Sequence, residues 1–592
     1  MILEFVDWIS VVAFFVISLA IGIVVARQAG KSVSEYFLSG RNMPWWLLGV
    51  SMVATTFSAD TPNLVTDIVR QQGVSGNWQW WAFLLTGMLT VFVYSKLWRR
   101  SEVLTDLEFY ELRYSGRAAA FLRGFRAIYL GVFFNIMIMA TVCLAAIKIG
   151  GVLLNLTPVQ TLLIASVVTV IYSSLGGLKG VLITDFVQFF IAMTGSVWAA
   201  YIIVNHPEVG GLSSMLDHKA VIPKLAILPN FNDPSTLIPV FIIPLAVQWW
   251  SVWYPGAEPG GGGYIAQRML SAKNEQHAVG ATLFFNVAHY ALRPWPWIVI
   301  ALCSLIVFPD LSSIQTAFPH LDPSIIQHDL AYPAMLTYLP HGLLGLVIAS
   351  LIAAFMSTIS THLNWGSSYV VNDVYIRFVN PNASQRSLVN LGRLSTVVLM
   401  VFAAILALYL ENAIQAFRIL LTIGAGTGLI FILRWFWWRI NAYTEFAGMV
   451  ASFIIAIYFE LIHHNLGFDP IQDHHRMLIS IGLTTIAWLV VTFITRPTSD
   501  KQLATFYLKV RPGGSGWKPV VQKLQFSSTT LPEVKQNLGL QVLSVFIGSV
   551  TVFCALFATG FWIYENLMAA IVLTVMSIAG ASWLLVMWKK LS

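Results

Sequence analysis

Long apolar stretches separated by short polar segments recur along the whole chain. Many approach the 20 residues with which a helix crosses a hydrocarbon core of about 30 Å. The strands of a membrane barrel would instead alternate apolar and polar residues over about 10 positions. Because backbone groups in lipid must be hydrogen-bonded internally, the pattern predicts helices. About 15 spans are expected: 6–26, 44–70, 77–98, 121–148, 158–175, 181–204, 236–257, 280–308, 333–370, 388–410, 413–438, 443–464, 476–497, 540–560 and 566–588.

Composition agrees with this pattern. Of the 592 residues 57% are hydrophobic and 10% are charged, against about 25% charged in soluble domains. Cys143, Cys303 and Cys554 all lie in apolar runs, where a disulfide framework or a metal site is not expected. An all-α integral membrane protein is therefore predicted.

Basic residues collect in alternate loops, which predicts the orientation of the chain. Cytoplasmic loops of membrane proteins are enriched in Lys and Arg. With the N-terminus outside, the basic loops around 27–41, 96–123, 377–386 and 498–539 all fall inside, whereas the 309–332 loop, which lacks Lys and Arg, falls outside. The charge pattern predicts an N-out/C-in topology, and the net charge of +7 is not interpreted as a sign of nucleic-acid binding.

Two spans carry residues that interrupt helices. The first, "SMVATTFSADTPN" at 51–63, contains Asp60 and then Pro62, which removes a backbone donor. The second, "WYPGAEPGGGGYIAQR" at 253–268, contains five glycines, two prolines and Glu258. Helix breaks at corresponding places in two halves of a transporter indicate a binding site near the membrane midplane. A kink without function is the alternative for either break alone.

A third segment, "ASLIAAFMSTISTHLNW" at 349–365, contains four hydroxyl residues within two helical turns. Such hydroxyls often bond only to the preceding carbonyls. Beside a broken helix they become suitable oxygen ligands for sodium. Ionisable residues within spans are also functional candidates because their burial is costly; they are Asp60, Asp67, Asp185, Glu258, His289, Arg293 and His362.

Other classes of protein fit less well. The phosphate-binding G-x-x-x-x-G-K-[ST] pattern does not occur, which argues against an ATP-driven pump. The soluble segment 498–539 is too short for a catalytic domain of ordinary size. The loop "HHNLGFDPIQDHH" at 463–475 is the best candidate for a metal site, and a solvated loop is the favoured interpretation.

The chain resembles the sodium:solute symporter family, which includes sodium/glucose, sodium/proline and sialic acid transporters. The resemblance covers about 1–497 and rests on the order and spacing of several stretches: "SEYFLSGRNMPWW" at 34–46, "SMVATTFSADT" at 51–61, "TDLEFYELRY" at 105–114, "YSSLGGLKGVLITDFVQ" at 172–188, "YIAQR" at 264–268 and "ASLIAAFMSTISTHLN" at 349–364.

This resemblance implies a LeuT-like core of ten helices in two inverted five-helix repeats, with the broken helices first in each repeat. The expected division of the chain is 1–43 (an extra helix and a cytoplasmic loop), 44–257 (the first repeat and the start of the second), 258–438 (the rest of the second), 439–497 (two peripheral helices), 498–539 (a basic cytoplasmic loop) and 540–592 (two C-terminal helices).

The family's common sodium site implies a specific set of oxygen ligands here. They are the carbonyls of Ala54, Phe57 and Ala354 and the side chains of Ser357 and Thr358. Asp185 matches the family's aspartate on the fifth core helix. With Ser360 and Thr361 it is expected to form a second sodium site or the inward release path.

The solute positions match the family's sugar carriers less well. Gln79 stands where those carriers have a glutamate, Gly262 or Gly263 where they have an asparagine, and Arg293 where they have a lysine. Arg293 either pairs with a carboxylate of the solute or neutralises Glu258. The candidate solute or gate residues are Asp60, Gln79, Asn135, Glu258, Gly262, Tyr264 and Arg293.

The predicted function is sodium-coupled secondary active symport. A small polar organic solute, sugar-like or carboxylate-bearing, is expected to enter the cell by alternating access with Na+ as the coupling ion. The protein is expected to be a multi-pass protein of the cell membrane (plasma or inner), in contact with the lipid bilayer, and not an enzyme. Neither nucleic acid nor an obligatory ATPase subunit is an expected partner. A proton-coupled or facilitative carrier of the same fold is the alternative, and a membrane-embedded enzyme or a sensor is less favoured.

Overall fold

The computed structural model describes residues 3–252, 258–410, 426–463, 465–526 and 537–591. Within these residues the chain is helical, and an isolated bridge joins Met43 to Ala272. The main helices are α1 (Phe5–Ala29), α2 (Trp45–Thr55), α3 (Asp60–Gln72), α4 (Val74–Ser101), α5 (Gly116–Leu154), α6 (Pro158–Val204), α7 (Pro234–Ala246), α8 (Gly263–Ser271), α9 (Glu275–Val307), α10 (Leu343–Val379), α11 (Gln385–Ala407), α12 (Gly428–Phe436), α13 (Ala442–Ile457), α14 (Asp473–Ile494), α15 (Asp500–Val510), α16 (Lys518–Phe526), α17 (Leu538–Ile563) and α18 (Leu567–Leu591). Shorter helices include Val33–Leu38, Phe109–Arg113, Leu212–Leu216, Leu311–Ala317 and Ala331–Leu336.

Ten helices in the described part of the chain are long and apolar enough to cross a membrane, fewer than the 15 spans expected. Two predicted spans, 158–175 and 181–204, lie within the 47-residue helical stretch α6, which a non-helical residue interrupts. A straight helix of that length would be about 70 Å long, more than twice the thickness of a hydrocarbon core of about 30 Å. Gly177, at φ 54° and ψ −159°, divides α6, and its two halves correspond to the two predicted spans.

The remaining differences from the expected spans have local causes. Predicted spans 44–70 and 236–257 contain breaks, so that α2 and α7 are short helices, and α13 is also short. Residues 253–257, and residues 411–425 of the predicted span 413–438, lie outside the described residues. The predicted 333–370 span becomes Ala331–Leu336 followed by α10.

The core is built around α6 and α10, which pack along each other, with α1 against both and α2 against α6 and α9. The N-terminal helix α1 also caps the N-terminal end of α10. The Asp7 carboxylate accepts hydrogen bonds from the backbone N–H groups of Gly342 (2.7 Å) and Gly345 (2.8 Å) and pairs with His341 Nδ1 (2.7 Å). A residue from another helix thereby satisfies amides that a helix start leaves unpaired.

The segment after α14 packs on the same side as the 105–114 segment. Gln502 Nε2 donates to the carbonyls of Glu111 and Leu112 at 2.8 Å. Trp517 Nε1 donates to the Trp435 carbonyl at 2.8 Å. The basic segment after residue 498 is therefore anchored to the helical core.

Candidate functional site

The first predicted helix break lies between α2 and α3, at residues 56–59. Pro62, the predicted source of the disruption, lies in the first turn of α3, where a missing N–H costs no hydrogen bond. At the end of α2 the Thr56 N–H donates to the Met52 carbonyl (3.3 Å) and the Phe57 N–H to the Ala54 carbonyl (3.0 Å). Carbonyls in the last turn of a helix lack α-helical partners, so this break exposes oxygen atoms inside the protein.

Thr358 of α10 bonds directly to the broken end of α2. Its hydroxyl donates to the Thr55 carbonyl at 2.7 Å and to the Ala354 carbonyl, in its own helix, at 3.1 Å. Ala54, Phe57, Ala354, Ser357 and Thr358 are all buried. The structure thus brings the end of α2 and the hydroxyl-rich turn of α10 together.

Asp185 of α6 joins the same two helices through hydroxyl groups. Its Oδ1 accepts from Ser357 Oγ of α10 at 2.7 Å, and its Oδ2 accepts from Ser51 Oγ of α2 at 2.5 Å. Carbonyl, hydroxyl and carboxylate oxygens are the ligands that hard cations prefer. The donor set at this junction therefore suits Na+.

Arg268 of α8 lies beside this carboxylate. Its Nη2 is 3.8 Å from Asp185 Oδ2 and donates to Thr361 Oγ1 at 2.7 Å. Thr361 shares a hydrogen bond with Thr55 at 2.9 Å, and Ser360 donates to the Ser357 carbonyl at 3.1 Å. Helix α8, which follows the second break, is thus hydrogen-bonded to the junction of α2 and α10.

A cavity of about 270 Å³ extends from this junction and is enclosed mainly by α3, α4, α5, α8, α9 and α10. Thr55 and Thr358 lie in its wall, so the candidate sodium ligands adjoin it. Of the candidate solute or gate residues, Asp60, Glu258, Gly262, Tyr264 and Arg293 line it.

Two candidates, Gln79 and Asn135, lie outside the lining of this cavity. Gln79 Nε2 donates to Gln72 Oε1 at 2.6 Å. Asn135 Nδ2 donates to the His362 carbonyl at 2.9 Å, and its Oδ1 accepts from His362 Nδ1 at 2.7 Å. Asn135 therefore joins α5 to α10.

Glu258, in the segment that leads into α8, belongs to a buried cluster of two arginines and two glutamates. It forms ion pairs with Arg126 of α5 and, at 2.8 Å, with Arg434 of α12. The same arginines approach Glu445 of α13 at 3.6 Å and 3.5 Å. We call these four residues the arginine–glutamate cluster. Glu258 is thus neutralised by these two arginines rather than by Arg293, and its exposure of 3% distinguishes it from a solvated residue at a channel mouth.

The beginning of α8 is held by another carboxylate. Asp106 Oδ2 accepts from the Gly263 N–H at 2.8 Å, and its Oδ1 accepts from the Tyr369 hydroxyl at 2.5 Å. Gly262 precedes α8 directly, and the Tyr264 ring lies 5.8 Å from the ring of His362. The short half-helix after the second break is therefore fixed at its N-terminus.

Several charged residues near the cavity were not predicted from the sequence. They are Arg126, Arg434 and Glu445 of the cluster, and the ion pair of Lys148 with Asp329 at 2.7 Å. All but Asp329 lie within predicted spans, so the rule that singled out Asp60 would have found them. For the loop at 463–475, where a solvated loop was the favoured interpretation, the structure adds no metal site: in the described part of the chain no three His, Cys, Asp or Glu residues are grouped to hold a metal ion.

Known proteins are similar to this chain in sequence and in fold. The model of the sodium:solute symporter family matches residues 36–452. The sodium/glucose cotransporter of Vibrio parahaemolyticus is 25% identical over 519 residues, which cover 84% of this chain and 91% of that protein. The sodium/myo-inositol cotransporter 2 of Oryctolagus cuniculus is 26% identical over 585 residues, covering 90% and 82%.

A solved structure of a Na+-coupled sialic acid symporter, in a substrate-bound outward-open state, has a similar fold. It superposes with a TM-score of 0.67 and 20% identity over 84% of this chain and 99% of the other. At that identity the similarity concerns the LeuT-like fold alone.

Proposed function

We propose which residues of the chain bind sodium and which bind the solute. The chain belongs to the sodium:solute symporter family and is a sodium-coupled symporter of small solutes rather than an enzyme. Sodium binds at the junction of α2 and α10, through the carbonyls of Ala54, Phe57 and Ala354 and the hydroxyls of Ser357 and Thr358. The solute binds in the adjoining cavity.

One observation carries the sodium assignment: the Thr358 hydroxyl spans the two helices, 2.7 Å from the Thr55 carbonyl and 3.1 Å from the Ala354 carbonyl. An ion bound there holds α2 and α10 in one relative arrangement. Since a ligand shifts a conformational equilibrium only by its difference in affinity between states, sodium favours the state in which this junction is closed.

Asp185 is the proposed path or second site for sodium, together with Ser360 and Thr361. The hydrogen bonds of Asp185 to Ser51 and Ser357 support this role, because an ion leaving the junction meets a carboxylate next. Arg268, 3.8 Å away, limits the affinity of this carboxylate for a second cation.

The solute is a small polar organic molecule, sugar-like or carboxylate-bearing, that enters the cell by alternating access. The cavity of about 270 Å³ combines charged, amide and hydroxyl groups with aromatic rings, which is typical of sites that select a small polar ligand. The protein is a multi-pass membrane protein. The basic loops support an N-out/C-in orientation in the cell membrane.

Uptake into proteoliposomes tests this function. An inward sodium gradient should drive accumulation of the transported solute, and an equal potassium gradient should not. Replacing Ser357 and Thr358 together by Ala should remove the sodium dependence, whereas Ser350→Ala should preserve it, because the Ser350 hydroxyl donates to the Val347 carbonyl of its own helix at 2.7 Å. Uptake that follows pH and ignores sodium would point to a proton-coupled carrier instead.

A further inference from the structure

The Arg293 guanidinium faces the cavity without an acidic partner. Arg293 is 1% exposed, and its Nη1 donates to Thr56 Oγ1 at 3.1 Å and to the Val53 carbonyl at 3.5 Å. Its Nη2 contacts His289 Nε2 at 3.3 Å, and its Nε has no hydrogen-bond partner. Among the described residues no carboxylate forms an ion pair with it.

His289 does not add a second positive charge at this position. A guanidinium has donors only, so His289 Nε2 must accept from Arg293. The ring proton is then on Nδ1, which donates to Thr56 Oγ1 at 3.0 Å. The Thr56 hydroxyl in turn donates to the Val53 carbonyl at 3.0 Å. The hydrogen bonds therefore require a neutral His289 and leave one positive charge on this wall of the cavity.

The opposite charge stands on the first turn of α3. Asp60 lines the cavity, is half-buried and has an Oδ1 atom without a hydrogen-bond partner. Both polar atoms of the Asn63 side chain, one turn further along the same helix, are also unpartnered. Asp60 is close enough to Arg293 to interact with it electrostatically, yet no ion pair joins them in the described structure.

Other ionisable cavity residues have partners of their own. Lys148 pairs with Asp329 at 2.7 Å, and Glu258 is neutralised by two arginines. The Asp67 carboxylate accepts from Gln71 Nε2 at 2.7 Å and also interacts electrostatically with Arg70 of the same helix. Among the described residues the cavity thus presents one positive and one negative pole that the protein does not join.

We propose that the solute is a zwitterion whose carboxylate binds Arg293 and whose cationic amine binds Asp60. Burying an unpaired charge costs several kcal/mol, and a zwitterion supplies both missing partners without changing the net charge of the site. A plain carboxylate would leave Asp60 unpaired, and a plain amine would leave Arg293 unpaired. A neutral sugar would offer only weaker neutral hydrogen bonds to both.

The cavity wall also suits an organic cation. The rings of Trp80 and Tyr290, both lining the cavity, stack with centroids 5.9 Å apart and planes at 23°. Aromatic faces attract ammonium groups. This inference rests on the proposed function, because it concerns the solute of the same symport site.

Sodium-driven uptake of a defined panel distinguishes the solute classes. The panel contains a labelled mixture of L-α-amino acids and glycine betaine as zwitterions, D-glucose and myo-inositol as neutral polyols, and lactate as a plain carboxylate. Wild-type proteoliposomes are expected to accumulate a zwitterion and neither polyols nor lactate. Accumulation of a polyol or of lactate in place of a zwitterion would overturn the inference while the proposed sodium symport stands.

Matched charge variants test the two poles. Arg293→Gln and Asp60→Asn should each raise the half-saturating concentration of the zwitterion by about tenfold or more, whereas Asp500→Asn, on the exposed start of α15, should not. Arg293→Lys and Asp60→Glu keep the charges and are expected to retain measurable uptake. They provide the test if Arg293→Gln or Asp60→Asn is poorly folded. Unchanged zwitterion affinity in both charge-removing variants would overturn the assignment. Zwitterion uptake that is equal in sodium and in potassium would instead refute sodium coupling and leave the two poles in place.

Discussion

Two sets of buried opposite charges lie close to the two helix breaks, and they differ in pairing. In the arginine–glutamate cluster, Glu258 contacts two arginines and each arginine also approaches Glu445. At the other break, Asp60 and Arg293 line the cavity, and neither forms an ion pair within the described part of the chain. Since an unpaired buried charge is costly, the comparison teaches that removing one partner from the first set should destabilise the protein, whereas the second set is the one proposed to pair with a ligand.

Aromatic contacts reinforce the difference. The Arg434 guanidinium lies 4.8 Å from the ring centroids of Phe109 and Phe431, and its Nη1 donates to the Tyr110 hydroxyl at 3.0 Å. Tyr114 donates to Glu445 at 2.5 Å. The cluster therefore ties the beginning of α8 to α5, α12 and α13, and its charges have little freedom to rearrange around a solute.

Removal of Arg434 is expected to have the largest effect on stability. Arg434→Gln leaves two buried glutamates with a single arginine, which should lower the free energy of unfolding by about 3–5 kcal/mol. The measurement is thermal unfolding of the purified protein in detergent. In the double variant Arg434→Gln with Glu258→Gln the loss should be smaller than the sum of the single losses, because the charges are removed together. Additive effects would show that the two residues are not coupled.

Asp106 is an intermediate case, a buried carboxylate held by neutral donors. Asp106→Asn removes an acceptor from either the Gly263 amide or the Tyr369 hydroxyl, so the free energy of unfolding should fall by about 1–3 kcal/mol. The same unfolding assay applies, with the exposed Asp500→Asn as the matched control. A loss as large as that of Arg434→Gln would mean that pairing with arginine is not what distinguishes the cluster.

Replacing Arg293 should change stability little, in contrast to replacing Arg434. Arg293→Gln breaks no ion pair among the described residues, and the removal of a charge that is costly to bury offsets the loss of its hydrogen bonds to Thr56 and Val53. We expect the free energy of unfolding to stay within about 1 kcal/mol of that of the wild type. A loss of several kcal/mol would reveal that Arg293 is paired within the protein, which would contradict the comparison.

The smallest expected effect concerns His341, which pairs with Asp7 near the surface. The hydrogen bond to Asp7 raises the pKa of His341 above its ordinary value of 6.5. A raised folded-state pKa stabilises the protein below the unfolded pKa, and this contribution disappears as the pH rises through the folded pKa. The difference in melting temperature between wild type and His341→Gln should therefore shrink from pH 5.5 to pH 8.5. A difference that grows with pH would contradict this pairing.

The pattern of the sequence predicted the helical class and both breaks because apolar length and helix-breaking residues are local properties. It also predicted separate spans on either side of Gly177, where the backbone leaves the helical conformation within α6. The length of the apolar stretch 44–70 alone did not show that it contains two helices, α2 and α3.

The candidate site was predicted only where a family motif or a local break marked it. The hydrogen bonds that join Ser51, Asp185 and Ser357 depend on how three helices, distant in the sequence, pack together. A single sequence does not show which turns of those helices face each other. Likewise, Glu258 was predicted as an ionisable functional candidate at a helix break, but its partners Arg126 and Arg434 lie 132 and 176 residues away in the sequence. Asn135 and Gln79 were chosen as polar residues in spans, but both lie outside the lining of the cavity, and a single sequence does not show which residues of a span line a cavity.

The most direct test of sodium coupling is equilibrium binding of radioactive sodium to the purified protein, because it does not require the solute. We expect saturable binding in the wild type and in Ser350→Ala. The double variant Ser357→Ala with Thr358→Ala should show at least about tenfold weaker binding, the equivalent of roughly 1.4 kcal/mol. Wild-type affinity in a well-folded double variant would contradict the placement of sodium between α2 and α10.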